Sequence, residues 1–370
     1  MDLELSSDQE LLRQTVRRFL ADQAPMTYVR DHLDDERGTS EPVWKGLGEL
    51  GVLGLLVPER YGGAGMGMVE MGVVLGEMGR AVHPGPFLSS AVGAVSLALA
   101  AGGNEDRERL LPDLASGTRV GTIGLLEPGT RYGWRSPATR AVRRGEGWQL
   151  TGTKVHVFDA DSADLHLVVA ATADGLRVFA VEREAPGVEV ESSPTVDGTR
   201  QQGTVSLEAA PARRLGADDA TEAIARVVDR LAVALVADGV GAAERVLELT
   251  LEHAKARHQF GRPVGSFQAV QHLCADMLQA LELSRAGVYF ALWADGAGSD
   301  AIRHRAATMA KAYASDALVR VGATAIQVHG GIGSTWEHDA HLYYKRLLTM
   351  GHTLGGSAEH LEELARLVLD

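Results

Sequence analysis

The chain of 370 residues contains one cysteine, Cys274. That excludes a disulfide framework and a cysteine-based zinc site, since both need thiols in sets. Basic charge is also in deficit: 36 Lys and Arg against 49 Asp and Glu, a formal net charge of -13. Nucleic acid or an anionic membrane surface would be repelled, leaving only small anions held in local basic pockets. No apolar run reaches the roughly 20 residues that span a bilayer; the nearest, Ala91 to Ala101, is short and alanine-rich. Membrane insertion is therefore not expected. Met1-Asp2-Leu3-Glu4 lacks the basic and apolar regions of a secretory signal, so the expected compartment is the cytoplasm. Internal repeats and low-complexity tracts are absent as well.

What is present is 45% apolar residues in a length that supports two or three domains. Ser6-Ser7-Asp8-Gln9-Glu10 opens with a capping-box pattern, and Leu11, Leu12, Val16, Phe19 and Leu20 follow at helical spacing. Helical patterns continue over Trp44 to Leu53, Met68 to Met78, Ser89 to Ala101 and Glu105 to Leu114. From Gly121 the texture changes to short β-branched runs separated by glycine-bearing turns, among them 147–152, 165–171 and 176–181. Near Leu215 helical periodicity returns, with long segments at about 221–257, 266–294, 302–329 and 338–348. The expected organisation is an N-terminal helical domain (1–119), a small β-domain (120–215) and a C-terminal helical domain (216–370).

Arg257-His258-Gln259-Phe260-Gly261-Arg262-Pro263 closes the first long C-terminal helix. It sets a guanidinium, an amide and a ring within four positions, a combination suited to a planar, phosphate-bearing ligand. A helix stopped by glycine and proline with a surface arginine is the plainer reading. With it stand the run 50–63, ending Val57-Pro58-Glu59-Arg60-Tyr61-Gly62-Gly63, then Gly152-Thr153-Lys154, then Gln327-Val328-His329-Gly330-Gly331-Ile332-Gly333. Four motifs in this order, across helices, a β-domain and helices, resemble the flavin-dependent acyl-CoA dehydrogenase family over nearly the whole chain. In the subunits of heteromeric actinobacterial steroid-catabolism enzymes a glutamate often stands at the place that resembles Asp238, and Trp336-Glu337-His338-Asp339-Ala340-His341-Leu342-Tyr343 is similar to that subgroup.

The resemblance implies an α+β multidomain fold, with a middle β-barrel-like domain and a C-terminal four-helix bundle. It also implies FAD at a dimer interface, its isoalloxazine on one subunit's β-domain and its pyrophosphate and adenosine met by the neighbour. The residues that would reach across are Arg257, Gln259, Phe260, Gln268, Gln327, His329, Gly330 and Gly331. The ring-holding half departs from the family pattern. Leu126-Glu127-Pro128-Gly129-Thr130-Arg131-Tyr132-Gly133 stands where the family has a Thr-Glu-Pro strand and a Gly-Ser-Asp turn, and His156 and Phe158 stand where it has a tryptophan and a flavin-bonding hydroxyl. The family's glutamate base falls on Leu354, and the alternative position on Leu231.

Asp238, between alanine and glycine in an otherwise apolar segment, is the expected catalytic base. The alternative is an ion pair with an arginine such as Arg230 or Arg245. His338, His341 and Glu337 could be read as metal ligands, but solvated or core histidines are the expectation and no metal is assigned. The function expected is α,β-dehydrogenation of a bulky acyl-CoA, such as a sterol side-chain thioester, by one subunit of an α2β2 assembly with a paralogous subunit. Electrons would pass to an electron-transfer flavoprotein or another acceptor. The alternatives are a non-catalytic scaffold completing a paralogue's FAD site, and a homomeric flavoprotein acting on another acyl thioester.

Overall fold

The computed structural model describes residues 4–33, 35, 37–129, 132–297 and 299–369. Among the described residues six α-helices come first: α1 (Ser7–Gln23), α2 (Met26–Asp31), α3 (Glu41–Glu49), α4 (Met68–Arg80), α5 (Val95–Ala101) and α6 (Asn104–Ser116). The strands described next are β1 (Gly121–Gly124), β2 (Arg140–Arg144), β3 (Gly147–Phe158), β4 (Leu165–Thr172), β5 (Gly175–Glu182), β6 (Val188–Ser193) and β7 (Gln202–Leu215). Then come α7 (Thr221–Ala256), a hairpin of β8 (His258–Gln259) and β9 (Arg262–Pro263), α8 (Gln268–Ala297), α9 (Asp300–His329), α10 (Ala340–His352) and α11 (Ser357–Leu369). N-terminal helices, a middle β-domain and a C-terminal helical bundle are the fold expected.

Local chemistry explains most of the boundaries. The capping box at α1 forms as read: the Gln9 amide donates to Ser6 Oγ, and the Ser6 amide to the Gln9 side chain. The run before α5 departs from α-helical periodicity, because Phe87–Ala94 is a fully buried π-helical stretch, wound more widely than an α-helix. The longest strand, β7, has no counterpart in the sequence reading. Its second half, Glu208-Ala209-Ala210-Pro211-Ala212, is poor in β-branched residues, so only pairing with β3 and β5 makes it a strand.

The chain forms two compact units. One comprises residues 27–71 and 84–231 and contains the β-domain. There β5 pairs with both β4 and β7, and the order β4, β2, β3, β7, β5 returns on itself as a closed barrel. Leu150, Val157, Val168, Phe179, Val181, Val205 and Leu207 fill it, with Trp148 packed against them.

The other unit comprises residues 1–26, 72–83 and 232–370. Its core is a bundle in which the buried stripe of α9 runs from Arg303 through Ala310, Ala314, Leu318 and Ala325 to His329. Here α4 crosses α7 backbone to backbone. A Cβ on Gly79 would lie 1.8 Å from the Asp238 carbonyl oxygen, and one on Gly241 equally close to that of Gly76. Only glycine permits such an approach, which is why this stretch of α7 is written in small residues.

Candidate functional site

Arg257 to Pro263 is a hairpin tip rather than a plain helix end. Phe260 (φ 55) and Gly261 (φ 81) form its turn, and two successive positive φ values give the twist that suits a two-residue hairpin. The turn throws Phe260 outward at 91% exposure, while Arg262 stacks on Phe267 at 4.1 Å. Arg257, Gln259 and Gln268 are exposed around it. At the end of α9, Gln327, Gly330 and Gly331 are exposed too, and a Cβ on either glycine would meet nothing within 4 Å.

A stack of imidazoles joins the two segments. His329 lies 4.6 Å from His253, one turn before Arg257, and 4.4 Å from His338. Nδ1 of His329 faces the Ala325 carbonyl at 2.8 Å, which makes that nitrogen the donor and leaves buried Nε2 an acceptor with no partner among the described residues. Burial above all holds both His253 and His329 below the usual histidine range, with repulsion from neighbouring imidazoles adding to it and the Ala325 bond opposing it at His329, so these two rings favour the neutral form. Nothing in the sequence marked His253 or the stacking role of His338, because their neighbours are distant in the chain.

The ring-facing half is built otherwise. A bulge in β3 between Lys154 and Val157 puts His156 at φ 53, exposed and bonded to Gln202 at 3.2 Å. Phe158 offers only its backbone carbonyl, which accepts from Thr122 Oγ1 at 2.6 Å. Glu127 and Lys154, from two of the motifs, meet in a buried ion pair at 2.7 Å, and Glu127 also accepts from the backbone amides of Ala138 and Thr139. Burial pushes the Glu127 carboxyl up, but the Lys154 ammonium and the Thr139 bonds outweigh it and hold the group at about 2. Those motifs therefore tie two barrel segments together. Thr130 and Arg131 lie outside the described residues.

Neither family position for a base carries one. Leu354 is buried at a positive φ of 55, and Leu231 lies where a Cβ on Gly93 would touch it at 3.6 Å. Asp238 is 1% exposed, and both its oxygens lie 3.3 Å from Nη1 of Arg346, whose Nη2 donates to the His83 carbonyl at 2.8 Å. The pairing arginine is thus Arg346 rather than Arg230 or Arg245; Arg245 pairs with Glu248. Arg346 could have been found, since it shares the α10 stripe of Leu342, Tyr343, Leu347 and Met350. Among the described residues, no group of three His, Cys, Asp or Glu could hold a metal.

Family models of the N-terminal, middle and C-terminal domains of acyl-CoA dehydrogenases match residues 6–118, 122–210 and 221–369. The chain belongs to the acyl-CoA dehydrogenase family. It is thereby an oxidoreductase of the class acting on CH–CH donors, with FAD as the family's cofactor. This dehydrogenase is 34% identical to acyl-CoA dehydrogenase IpdE2 of Mycobacterium tuberculosis over 96% of each chain. It is 32% identical to IpdE2 of Mycolicibacterium smegmatis, covering 97% of this chain and 98% of that one. Among solved structures it resembles a variant of the Tcur3481-Tcur3483 steroid ACAD (TM-score 0.90, 34% identity, 98% of both chains). It also resembles the ChsE4-ChsE5 complex from Mycobacterium tuberculosis (TM-score 0.92, 28% identity, 100% of this chain and 99% of that one). No described helix is long and apolar enough to cross a membrane.

The residues of the outer set fit the phosphate and adenosine portion of FAD. Open glycine backbone, an exposed guanidinium and ring, and an unpartnered buried acceptor are what such a ligand edge would meet. The β3 strand does not fit a flavin ring in the same way, because the hydroxyl it would need at residue 158 is a phenyl group.

Proposed function

We propose that this chain is one subunit of a hetero-oligomeric acyl-CoA dehydrogenase, α2β2 in its simplest form. It acts in the α,β-dehydrogenation of a bulky acyl-CoA thioester of the sterol side-chain class. The observation that carries the proposal is the asymmetry of the half-sites. Arg257, Gln259, Phe260, Gln268, Gln327, Gly330 and Gly331 stand outward with His329 beneath them, while hydrocarbon occupies residues 158, 231 and 354. A homotetramer would repeat the compromised ring half in every site; a paralogue with an intact β-domain would restore it. Exposed Leu278, Leu283 and Trp293 on α8, with Met309 and Tyr313 on α9, offer apolar surface for such a partner. The steroid-related neighbours support the substrate class.

In this reading Arg257 forks onto phosphate oxygens of FAD whose ring another subunit holds, and the chemistry that FAD supplies is acceptance of the hydride. The electrons leave to an electron-transfer flavoprotein or a comparable acceptor. Two roles are open to Asp238, proton acceptor or ion-pair partner. Its enclosure by Arg346 favours the second, with the base supplied by the paralogue. Co-expression with the paralogue should give about one flavin per two chains. A full complement of FAD on the chain purified alone would overturn the proposal.

A further inference from the structure

The β-domain unit contains a pocket that no part of this reading uses. It is an open hollow of about 230 Å³ lined by Leu56, Met66, Met68 and Leu99 together with Arg226 and Arg230. The two arginines are half-buried and four residues apart on α7, hence on one side of the helix. In a chain with a formal charge of -13, two guanidiniums border this apolar hollow. Both are engaged with other groups of the chain. A guanidinium carries five N–H donors, however, so holding one partner leaves donors for another.

We propose that this pocket binds a small amphipathic carboxylate. The carboxylate lies against Arg226 and Arg230, and the hydrocarbon body runs between Leu56, Leu99 and the two methionines. Volume sets the size class: the space is below the usual range of drug-sized sites and too small for a nucleotide or a whole thioester of coenzyme A. Charge sets the head group, since forked N–H donors match the two oxygens of a carboxylate. Methionine walls set tolerance, because unbranched thioethers adapt to chains of differing shape. Neither Leu231 nor Gly93 lines the site, and it does not depend on where the flavin binds.

The test is calorimetric titration of octanoate into the purified protein, in the assembly it forms in solution, with octanol as the neutral control. Expected is saturable binding of octanoate, at least about ten-fold tighter than octanol, weakened about ten-fold or more in Arg226→Gln/Arg230→Gln. Leu99→Trp, which fills the pocket and keeps both charges, should remove octanoate binding. Unchanged thermal unfolding in the variants shows that they fold. No saturable binding, equal affinity for octanol, or octanoate binding unaffected by both variants would each overturn the proposal; the last would place octanoate in a different cavity.

Discussion

Asp238→Ala is the substitution that separates the two roles of this carboxylate. In the ion-pair role it strands a fully buried guanidinium. Breaking a buried pair from one side costs about 3–5 kcal/mol. Here the contacts are long, 3.3 Å to each oxygen, and Arg346 keeps its bond to the His83 carbonyl, so the lower end, about 3 kcal/mol, is expected. Arg346→Met on that background removes the stranded charge and should restore about 1–2 kcal/mol or more of the loss. Urea unfolding of the four members of the cycle, followed by circular dichroism, measures the coupling. In the assembled enzyme, Asp238→Ala should lose stability while turnover per folded enzyme stays within about a factor of three. The reasoning fails if Asp238→Ala stays within about 0.5 kcal/mol of wild type while turnover falls by orders of magnitude with flavin retained. That outcome would make Asp238 the base.

Arg257→Ala in the assembled protein should release FAD, read as a fallen ratio of flavin to protein absorbance after gel filtration; full retention would remove Arg257 from the cofactor contacts. Glu127 has a folded value of about 2 against an ordinary value of 4.5, so its contribution is present above about pH 4.5 and lost as pH falls towards 2. Lys154→Met should therefore move acid unfolding to higher pH, and an unmoved acid midpoint would show that the pair does not stabilise the barrel. Lys311 is wholly buried, bonded to Ser315 Oγ and the Met350 carbonyl, and burial pushes it down to about 7. Between that value and 10.5 the unfolded chain binds the extra proton, so stability from this group rises with pH. Lys311→Met should flatten the change in urea midpoint between pH 7 and 9, and an unchanged slope would refute it.

Much of this was legible in the chain itself. Periodicity and caps marked α1, α4, α6 and the long C-terminal helices, because each buries a stripe that recurs at helical spacing. The barrel was visible as short β-branched runs, except β7, whose alanine-rich second half is a strand only through its neighbours. The family followed from motif order, and the missing hydroxyl and glutamate from single letters at 158 and 354. Residue type at a position is a local property, and these conclusions needed nothing else.

Tertiary structure decided which distant groups meet. Arg346 answers Asp238 across 108 positions, and Lys154 answers Glu127 across 27. His253, His329 and His338 come together from three separate segments as tilted ring contacts, and the hairpin turn points Phe260 to solvent. A buried charge states only that it needs a partner. Which partner it finds depends on helix crossings set by backbone contact, as where Gly79 admits the carbonyl of Asp238, and a crossing is a property of two segments together.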